Sequence, residues 1–283
     1  MTPSIDVIIV NYLTGDDAVA AAREVQGPAT TIWIVDNSGE VLAHPPTGSS
    51  VLGDGTNVMY AAASNLAYDR GVADLVLLLN PDVRIARSVV EQLATALSDD
   101  PGLWAVAPRL ESPNGASQPY LRRLATTAAL LADLVPPLRP VLRSSYERYL
   151  CRDVDLSSTA LIDQPAAACL LVRRADVGVR LFDPAYPLFF NDADLARRMA
   201  GLGRRCLYLG GLAAEHTGGA SIARERVRSG LWVSEEYDRS AARYARRNLR
   251  GGWLVGCVVP VRRAVRRLLR SRDGGGSTSA GNP

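Results

Sequence analysis

The sequence of 283 residues contains no lysine, and histidine and phenylalanine are scarce. All 32 basic residues are therefore arginine, and 29 acidic residues leave a small net charge of +3. A nucleic-acid-binding protein usually concentrates positive charge in a patch studded with aromatic residues. Here the strongest basic cluster is confined to residues 262–272, so the composition argues against a nucleic-acid partner.

Cysteine is also scarce, and the four cysteines are far apart in the chain. They are Cys151, Cys169, Cys206 and Cys257. Their spacing excludes a paired zinc site or a redox Cys-X-X-Cys motif, and we expect reduced, mostly buried thiols. No apolar run is long enough to cross a bilayer as a helix. The apolar segment at residues 5–10 is too short for a signal peptide and carries Asp6, so we expect a cytoplasmic protein with at most peripheral membrane contact.

Short apolar strands alternate with helical stretches over the first 110 residues. The predicted elements are strands at 5–10, 31–35, 75–79 and 103–107, and helices at 16–25, from 57 and at 88–97. The first strand, helix and strand have the spacing of a βαβ unit with a parallel pair. The continuous apolar run at 75–79 is typical of a central buried strand.

Polar residues follow three of these strands. Asn11 and Tyr12 follow the first strand, Asp36 follows the second, and Asn80 and Asp82 flank a proline after the strand at 75–79. Open α/β sheets bind ligands beyond the carboxyl ends of their strands, so these side chains fall at the expected rim. Taken singly, Asp36 could begin an Asx turn, and the Asn-Pro-Asp sequence could be an ordinary turn.

The segment from Leu188 to Ser221 places carboxylates on the first turn of a predicted helix, with Asp194 spaced to pair with Arg198. The positive end of the helix dipole should keep Asp192 ionised, as a proton acceptor must be. Asp192 is therefore a candidate base, although aspartate is also a common N-cap. With the upstream acids, His216 would complete a metal-assisted transfer centre, whereas a lone histidine is more often structural.

The pattern is looser from 111 to 163, before predicted strands at 166–172 and 205–209. The stretch 121–142 is apolar, flanked by arginines and broken by prolines, and carries no catalytic signature. It could be a surface loop with a packed helix, or a variable acceptor-facing subdomain that touches a membrane.

After Ser221 we predict a polar helix to about Asn248, then an apolar segment at 253–261 and an arginine-rich one at 262–272. A tryptophan beside apolar residues and arginines fits an interfacial anchor on an anionic leaflet. It equally fits a helix packed on the body with its arginines in solvent.

In order and spacing, these motifs resemble the family 2 glycosyltransferases, and within them the bacterial rhamnosyltransferase-like branch. The motifs are Val-Ile-Ile-Val-Asn-Tyr, Val-Asp-Asn-Ser, Asn57 with Asn65, Leu-Leu-Leu-Asn-Pro-Asp-Val, Phe-Phe-Asn-Asp-Ala-Asp-Leu with Arg198, and His-Thr-Gly-Gly-Ala-Ser. The resemblance spans residues 5–221. It implies a GT-A fold, which is α/β with a mostly parallel, Rossmann-like mixed sheet flanked by helices. It also implies inverting sugar transfer from a nucleotide-diphosphate donor, assisted by Mg²⁺ or Mn²⁺.

The resemblance further implies roles for the matched residues. Asp36 would bind the nucleotide base, in a pocket lined by Asn11 and Tyr12. The other donor-side residues would be Asn37, Asn57, Asn65, Asn80 and Asp82. Asp192 would be the catalytic base, Asp82 and His216 would hold the cation, and Asp194 and Arg198 would support the helix on the acceptor side. A carboxylate is a ligand that hard divalent cations prefer, and one ionised carboxylate can accept the proton of an attacking hydroxyl.

The sequence departs from the family pattern at three places. Asn80 replaces the usual first acid of the metal motif and is a weaker ligand. Asn191 replaces an acid before Asp192, which removes a like charge and should help to keep Asp192 ionised. Alanines replace the glycines that often precede the strand at 168–170.

We therefore expect a GT-A domain at 1–221, divided into a nucleotide-sugar half at 1–110 and an acceptor half at 111–221. A helical extension at 222–272, in possible contact with a membrane, and a flexible tail at 273–283 would follow. The expected reaction moves a deoxyhexose or hexose, with a rhamnose-like sugar favoured, from a dTDP-, UDP- or GDP-linked donor. The acceptor would be a hydroxyl group of a cell-envelope glycan, including lipid-linked ones, or of a natural product.

Two other functions remain open. The first is a non-catalytic sugar-nucleotide or glycan-binding partner on the same fold, which Asn80 leaves open. The second is a nucleotidyltransferase. That class has a Gly-rich segment with a basic residue after its first strand, whereas Asn11 and Tyr12 stand there in this chain.

Overall fold

The computed structural model describes residues 3–40, 42, 44–218 and 232–273, with side chains up to Arg266. Three residues of the predicted His-Thr-Gly-Gly-Ala-Ser motif, Gly219, Ala220 and Ser221, lie outside the described residues. So do the start of the helix predicted after Ser221 and the tail at 274–283.

The described part of the chain contains nine strands and nine α-helices. The strands are β1 (Ile5–Asn11), β2 (Thr30–Asp36), β3 (Ser50–Leu52), β4 (Leu75–Leu79), β5 (Val83–Arg84), β6 (Leu103–Glu111), β7 (Thr159–Ile162), β8 (Cys169–Arg173) and β9 (Arg205–His216). The helices are α1 (Gly15–Val25), α2 (Met59–Tyr68), α3 (Arg87–Asp99), α4 (Thr127–Leu134), α5 (Arg143–Tyr149), α6 (Arg174–Val177), α7 (Asn191–Gly201), α8 (Trp232–Asn248) and α9 (Trp253–Asp273). A 3₁₀ turn at Pro136–Leu138 follows α4.

All nine strands belong to one mixed sheet with the order β3-β2-β1-β4-β8-β6-β9-β5, and β7 pairs with β9. The predicted βαβ unit is confirmed, because β1 and β2 pair in parallel from Ile5 opposite Thr30 to Asn11 opposite Asp36. Strands β3, β2, β1 and β4 are parallel, β8 is antiparallel to both its neighbours, and β6 and β9 are parallel. One sheet therefore contains strands from both predicted halves of the domain.

The core lies on the two faces of this sheet. Because successive strand residues point to opposite faces, Val76 and Leu78 of β4 enter one buried cluster and Leu75, Leu77 and Leu79 enter the other. Buried alanines and leucines of α1 and α3 cover one face, and those of α2 and α7 cover the other. The apolar run at 75–79 is thus a central buried strand, as its sequence predicts.

The last two helices pack on the body of the domain. Apolar side chains of α4, α8 and α9 form a third buried cluster with Tyr186 and Phe190, just before α7. None of the helices in the described residues is long and apolar enough to cross a membrane. Three of the cysteines are buried, and Cys257 on α9 is exposed.

Three strand boundaries differ from the sequence-based prediction, since β6 also extends to Glu111, and β3, β5 and β7 were not predicted. The strand expected at 166–172 occupies Cys169–Arg173 instead, which leaves the three alanines before it outside the ladder. Strand β9 continues past Gly210 to His216, because its pairing with β6 resumes after a register shift. Glycine fits there since a Cβ at Gly210 would lie 2.5 Å from the carbonyl oxygen of Ser158. The sequence predicts that the pair Gly210 and Gly211 ends the strand, whereas in the structure the pair forms a bulge within β9.

Candidate functional site

A cleft of about 420 Å³ opens at the carboxyl ends of the central strands. Seven of the predicted site residues line it: Tyr12, Asn37, Asn57, Asn80, Asp82, Asp192 and His216. The first residues of α8, Trp232 and Val233, line it as well, together with the three alanines before β8. The side chains therefore come from sequence segments more than 100 residues apart.

Asp82 and His216 are brought together by the short ladder between β5 and β9. Val83 pairs with His216, and the backbone N–H of Thr217 donates to the carbonyl of Asp82 at 3.1 Å. This register sets Oδ1 of Asp82 3.5 Å from Nε2 of His216. Both residues are nearly buried, at 9% and 5% exposure. The turn after Asn80 is thus more than a chain reversal, because it starts the strand that aligns these two groups.

The imidazole of His216 is oriented by Gln118. The side-chain oxygen of Gln118 lies 2.9 Å from Nδ1 of His216, and its amide nitrogen donates to the carbonyl of His216 at 2.8 Å and to the Ser112 hydroxyl at 3.1 Å. An amide oxygen only accepts, so Nδ1 must carry the hydrogen. Nε2 is then the ring nitrogen that faces Asp82.

This pair fits a divalent cation. A carboxylate oxygen and an imidazole nitrogen that face each other in a cleft are both groups that bind divalent metal ions. The described residues contain no group of three or more His, Cys, Asp or Glu that could hold a metal. Mg²⁺ sites of this kind use few protein ligands and complete their shell with substrate phosphates and water.

Asp192 lies in the first turn of α7, one residue after the helix begins. Phe190 precedes the helix with a left-handed φ of 65°. Oδ1 of Asp192 accepts the backbone N–H of Ala193 at 2.8 Å, and the side-chain amide of Gln164 also hydrogen-bonds to this carboxylate. Asp192 is not the N-cap, since Phe190 holds that position, so the capping alternative does not explain the residue.

The electrostatic environment of Asp192 differs from the expected one. Burial raises the pKa of this carboxyl above its ordinary value, and the hydrogen bonds from Ala193 and Gln164 and the charge of Arg122 offset the increase only in part. The helix terminus and Asn191 were expected to help to keep the group ionised, and burial acts against them. Desolvation in the cleft opposes a helix dipole, which weakens within a turn and in solvent. A carboxylate with a raised pKa is a stronger base once it is ionised.

Asp36 and Asn11 are hydrogen-bonded to each other beside the cleft. The amide of Asn11 donates to Oδ1 of Asp36 at 3.1 Å, and the backbone N–H groups of Ser38 and Gly39 donate to the two carboxylate oxygens. This is the Asx-type turn that the sequence left open. Neither residue is among the side chains that line the cleft in the described residues, whereas the next residue, Asn37, is. The role of Asp36 in binding a nucleotide base stays a prediction.

Three further predicted residues have structural partners. Asn65 exchanges two hydrogen bonds with the backbone of Phe182, at 2.8 and 2.9 Å. Arg198 pairs with Asp194 at 3.4 Å, as the i,i+4 spacing predicts, and donates to the carbonyl of Leu181. These contacts fix the loop that leads to α7, and so they fix the position of Asp192.

Four residues that approach the predicted site were missed by sequence reasoning. They are Gln118, Tyr120, Arg122 and Gln164. All belong to the segment at 111–165, and Arg122 lies in the stretch 121–142, where its charge offsets part of the effect of burial on the pKa of Asp192. Arg122 and Gln164 reach the site as an isolated antiparallel bridge, with backbone hydrogen bonds of 2.9 and 3.0 Å. No local sequence pattern signals such a long-range pair.

Part of the chain is similar in sequence to a known glycosyltransferase. No family model matches the chain. The chain is 29% identical, over 171 residues, to the N-acetylglucosaminyl-diphospho-decaprenol L-rhamnosyltransferase of Mycobacterium tuberculosis, in two strains. The match covers 58% of this chain and 55% of the relative, so the chain spans about half the length of the curated relatives it matches.

Solved structures show the fold. The chain is similar to GalNAc-T7 with UDP, GalNAc and Mn²⁺, at a TM-score of 0.54 and 14% identity over 86% of this chain and 51% of the other. It is also similar to the mannosyltransferase PcManGT from Pyrobaculum calidifontis in complex with GDP-Man and Mn²⁺, at a TM-score of 0.53 and 15% identity over 87% and 65% of the two chains. The predicted GT-A fold is confirmed, and the similarity in sequence to a rhamnosyltransferase supports the resemblance to family 2 glycosyltransferases.

Proposed function

We propose that the chain is an inverting glycosyltransferase that uses a nucleotide-diphosphate sugar. One observation carries this function: a half-buried carboxylate, Asp192, shares a cleft with a second carboxylate and a histidine, Asp82 and His216, that are aligned 3.5 Å apart. The first group suits removal of a proton, and the pair suits a cation beside a diphosphate. The similarity to glycosyltransferases supports the same conclusion.

In this proposal each group of the chain has one task. Asp192 accepts the proton of the acceptor hydroxyl as its oxygen attacks the anomeric carbon opposite the leaving diphosphate, which inverts the configuration. Asp82 and His216 would hold a divalent cation, Asn80 lines the same cleft, and Gln118 would keep Nε2 of His216 directed towards the cation. When bound, such a cation neutralises negative charge that develops on the departing phosphate oxygen.

The finer assignment rests on the relatives. We propose a rhamnose-like deoxyhexose donor and a lipid-linked hydroxyl acceptor, because the curated relatives are named as rhamnosyltransferases of a decaprenol-linked saccharide. The donor nucleotide stays open among dTDP, UDP and GDP. Mg²⁺ or Mn²⁺ is the proposed cation, since the similar solved structures contain Mn²⁺.

Calorimetric titration of dTDP, UDP and GDP, each with and without Mg²⁺ or Mn²⁺, tests the donor site. A ligand that binds only the native state also raises thermal stability, so a melting screen gives a second readout. We expect one nucleotide to bind in a cation-dependent way. The Asp82→Ala variant should lose the cation dependence, whereas Asp192→Asn should keep it. If no nucleotide binds, or if both variants bind like the wild type, the proposed donor site is wrong.

A non-catalytic sugar-nucleotide-binding partner remains the alternative, and the amide of Asn80 in place of an acid favours it. The two functions differ in one simple measurement. A glycosyltransferase should slowly hydrolyse its bound donor when the acceptor is absent, and Asp192→Asn should reduce this release. A protein that binds donor tightly without any hydrolysis or transfer would fit the binding partner instead.

A further inference from the structure

Helix α9 exposes a continuous apolar row to solvent. Trp253, Cys257, Val261 and Val265, which we call the outer row, are four residues apart and therefore lie along one side of the helix. All four are exposed, with Trp253 and Val261 at 63% and Val265 at 49%. Leu254 is exposed beside them. Single exposed apolar residues are normal on a protein surface, but a row along a helix marks an interaction site.

The opposite side of α9 is anchored to the domain by its arginines. Arg262 and Arg266 each pair with one carboxylate oxygen of Asp238 on α8, at 3.1 and 3.0 Å, and Arg263 donates to the carbonyl of Glu235 at 2.8 Å. The interpretation that the arginines of this helix extend freely into solvent is therefore wrong for these three. Their contacts fix the rotation of α9 and so hold the outer row away from the body.

A second exposed apolar segment follows a helix that contacts α9. Arg262 donates to the carbonyl of Leu134 at the end of α4. The turn that follows exposes Pro136, Pro137 and Val141, the last at 81%. The two stretches for which the sequence left membrane contact open, at 121–142 and 253–272, are thus neighbours in the fold.

Helix α9 is rich in positive charge towards its end. Residues 261–273 contain six arginines and one acid, Asp273, and two of these arginines, Arg262 and Arg266, pair with Asp238. In the turn after α4, Arg139 and Arg143 flank Val141 and are exposed, and Arg143 pairs with Glu147. An exposed apolar row with a tryptophan at one end, on a helix with an excess of arginine, is the pattern of a helix that lies in the interface of an anionic bilayer.

We propose that the outer row of α9 inserts into the surface of an anionic membrane. The geometry also relates this surface to the cleft, because α9 packs along α8, and Trp232 and Val233 at the start of α8 line the cleft. The inference deepens the proposed function, since a lipid-linked acceptor would be met at the same surface. Membrane binding can nevertheless be measured without nucleotide or acceptor.

Sedimentation of the full chain with vesicles tests the proposal. We expect the wild type to bind vesicles of phosphatidylcholine with about 30% phosphatidylglycerol at least about tenfold more strongly than vesicles of phosphatidylcholine alone, and salt to weaken the binding. The double variant Val261→Asp with Val265→Asp should reduce the partition coefficient at least about tenfold. Val179→Asp is the matched control, because Val179 is a valine of 97% exposure just after α6, far from the outer row in sequence.

Tryptophan fluorescence gives a readout that needs no destabilising variant. Trp253 is the tryptophan with the high exposure, so its emission should shift to shorter wavelength when anionic vesicles are added. The Trp253→Phe variant should lose this shift. A wild type that neither sediments nor shifts with anionic vesicles would overturn the inference, as would equal binding by the wild type and the double variant.

Light scattering and nucleotide calorimetry distinguish membrane insertion from self-association and from the transferase activity. If light scattering shows a dimer that the double variant converts to a monomer, and no vesicle binding occurs, the outer row is an interface between two copies and the inference is overturned. Calorimetry of the nucleotides on the same variants tests the donor site independently. Cation-dependent nucleotide binding without vesicle binding would refute only the proposal that the outer row binds a membrane. Vesicle binding without nucleotide binding would instead refute the proposed transferase activity.

Discussion

Replacing Asp192 with asparagine should separate chemistry from folding and from donor binding. Asparagine keeps an oxygen that can accept the backbone N–H of Ala193, now at 2.8 Å, and it differs little in volume, so α7 should begin as before. What it removes is the negative charge that accepts a proton. General base catalysis contributes about 10²–10⁴ in rate, which corresponds to about 3–5 kcal/mol of activation free energy. We expect transfer to fall by that factor while nucleotide affinity changes less than about threefold.

The same variant should not lose stability at neutral pH. Burial raises the pKa of Asp192 in the folded protein above its unfolded value, so the folded state binds its proton more tightly. The resulting stabilisation is present below the unfolded pKa and is lost as the pH rises through the folded pKa. At neutral pH the buried charge therefore opposes folding, and asparagine removes it. We expect the midpoint of thermal unfolding to be unchanged or higher.

The assay is single-turnover transfer from the nucleotide sugar that calorimetry identifies, followed between about pH 4 and 8. The wild-type rate should rise with pH through the raised pKa of Asp192, and this limb should be absent in the variant. Asp16→Asn is the matched control. Asp16 lies in the first turn of another helix, α1, is exposed, and is not among the cleft-lining side chains of the described chain. Near-normal transfer by Asp192→Asn, or an equal loss in both variants, would refute Asp192 as the base.

Three other substitutions have defined outcomes. Gln118→Leu removes the acceptor that fixes the Nδ1 hydrogen of His216, so cation-dependent nucleotide affinity should fall about 10- to 100-fold in calorimetry, and unchanged cation dependence would exclude this positioning role. Gly252→Ala should lower the free energy of unfolding by about 1–3 kcal/mol, because its Cβ would overlap the backbone carbonyl of Ala245 where α8 meets α9. Gly256→Ala should instead raise it by up to about 1 kcal/mol, because Gly256 is inside α9 and a Cβ would meet its nearest neighbour at an ordinary 3.8 Å. Chemical denaturation measures the free energy of unfolding of both glycine variants. A change in the same direction for both would contradict the packing of α9 on α8.

Local sequence patterns predicted the parallel half of the sheet. Strands β1, β2 and β4 begin and end within about one residue of their predicted bounds. A short β-branched or continuously apolar run bounded by polar residues favours a buried strand over other local structures. The rim position of Asn80 and Asp82 followed from the same rule, because chain direction in a parallel sheet decides which end carries the loops. The ion pair between Asp194 and Arg198 required only helical spacing.

The sequence by itself thus determined the fold class, the order of the elements and the residue types that the cleft contains. Only the tertiary structure decided how those residues interact. The ladder between β5 and β9 sets Asp82 against His216, and the bridge from Arg122 to Gln164 reaches Asp192, across separations that no local pattern encodes. The pKa of Asp192 rises because packing closes the cleft around it, and desolvation depends on every neighbour rather than on the adjacent residues. The outer row is likewise exposed because the arginines on the other side of α9 bind Asp238 of α8 and so turn that side towards the body.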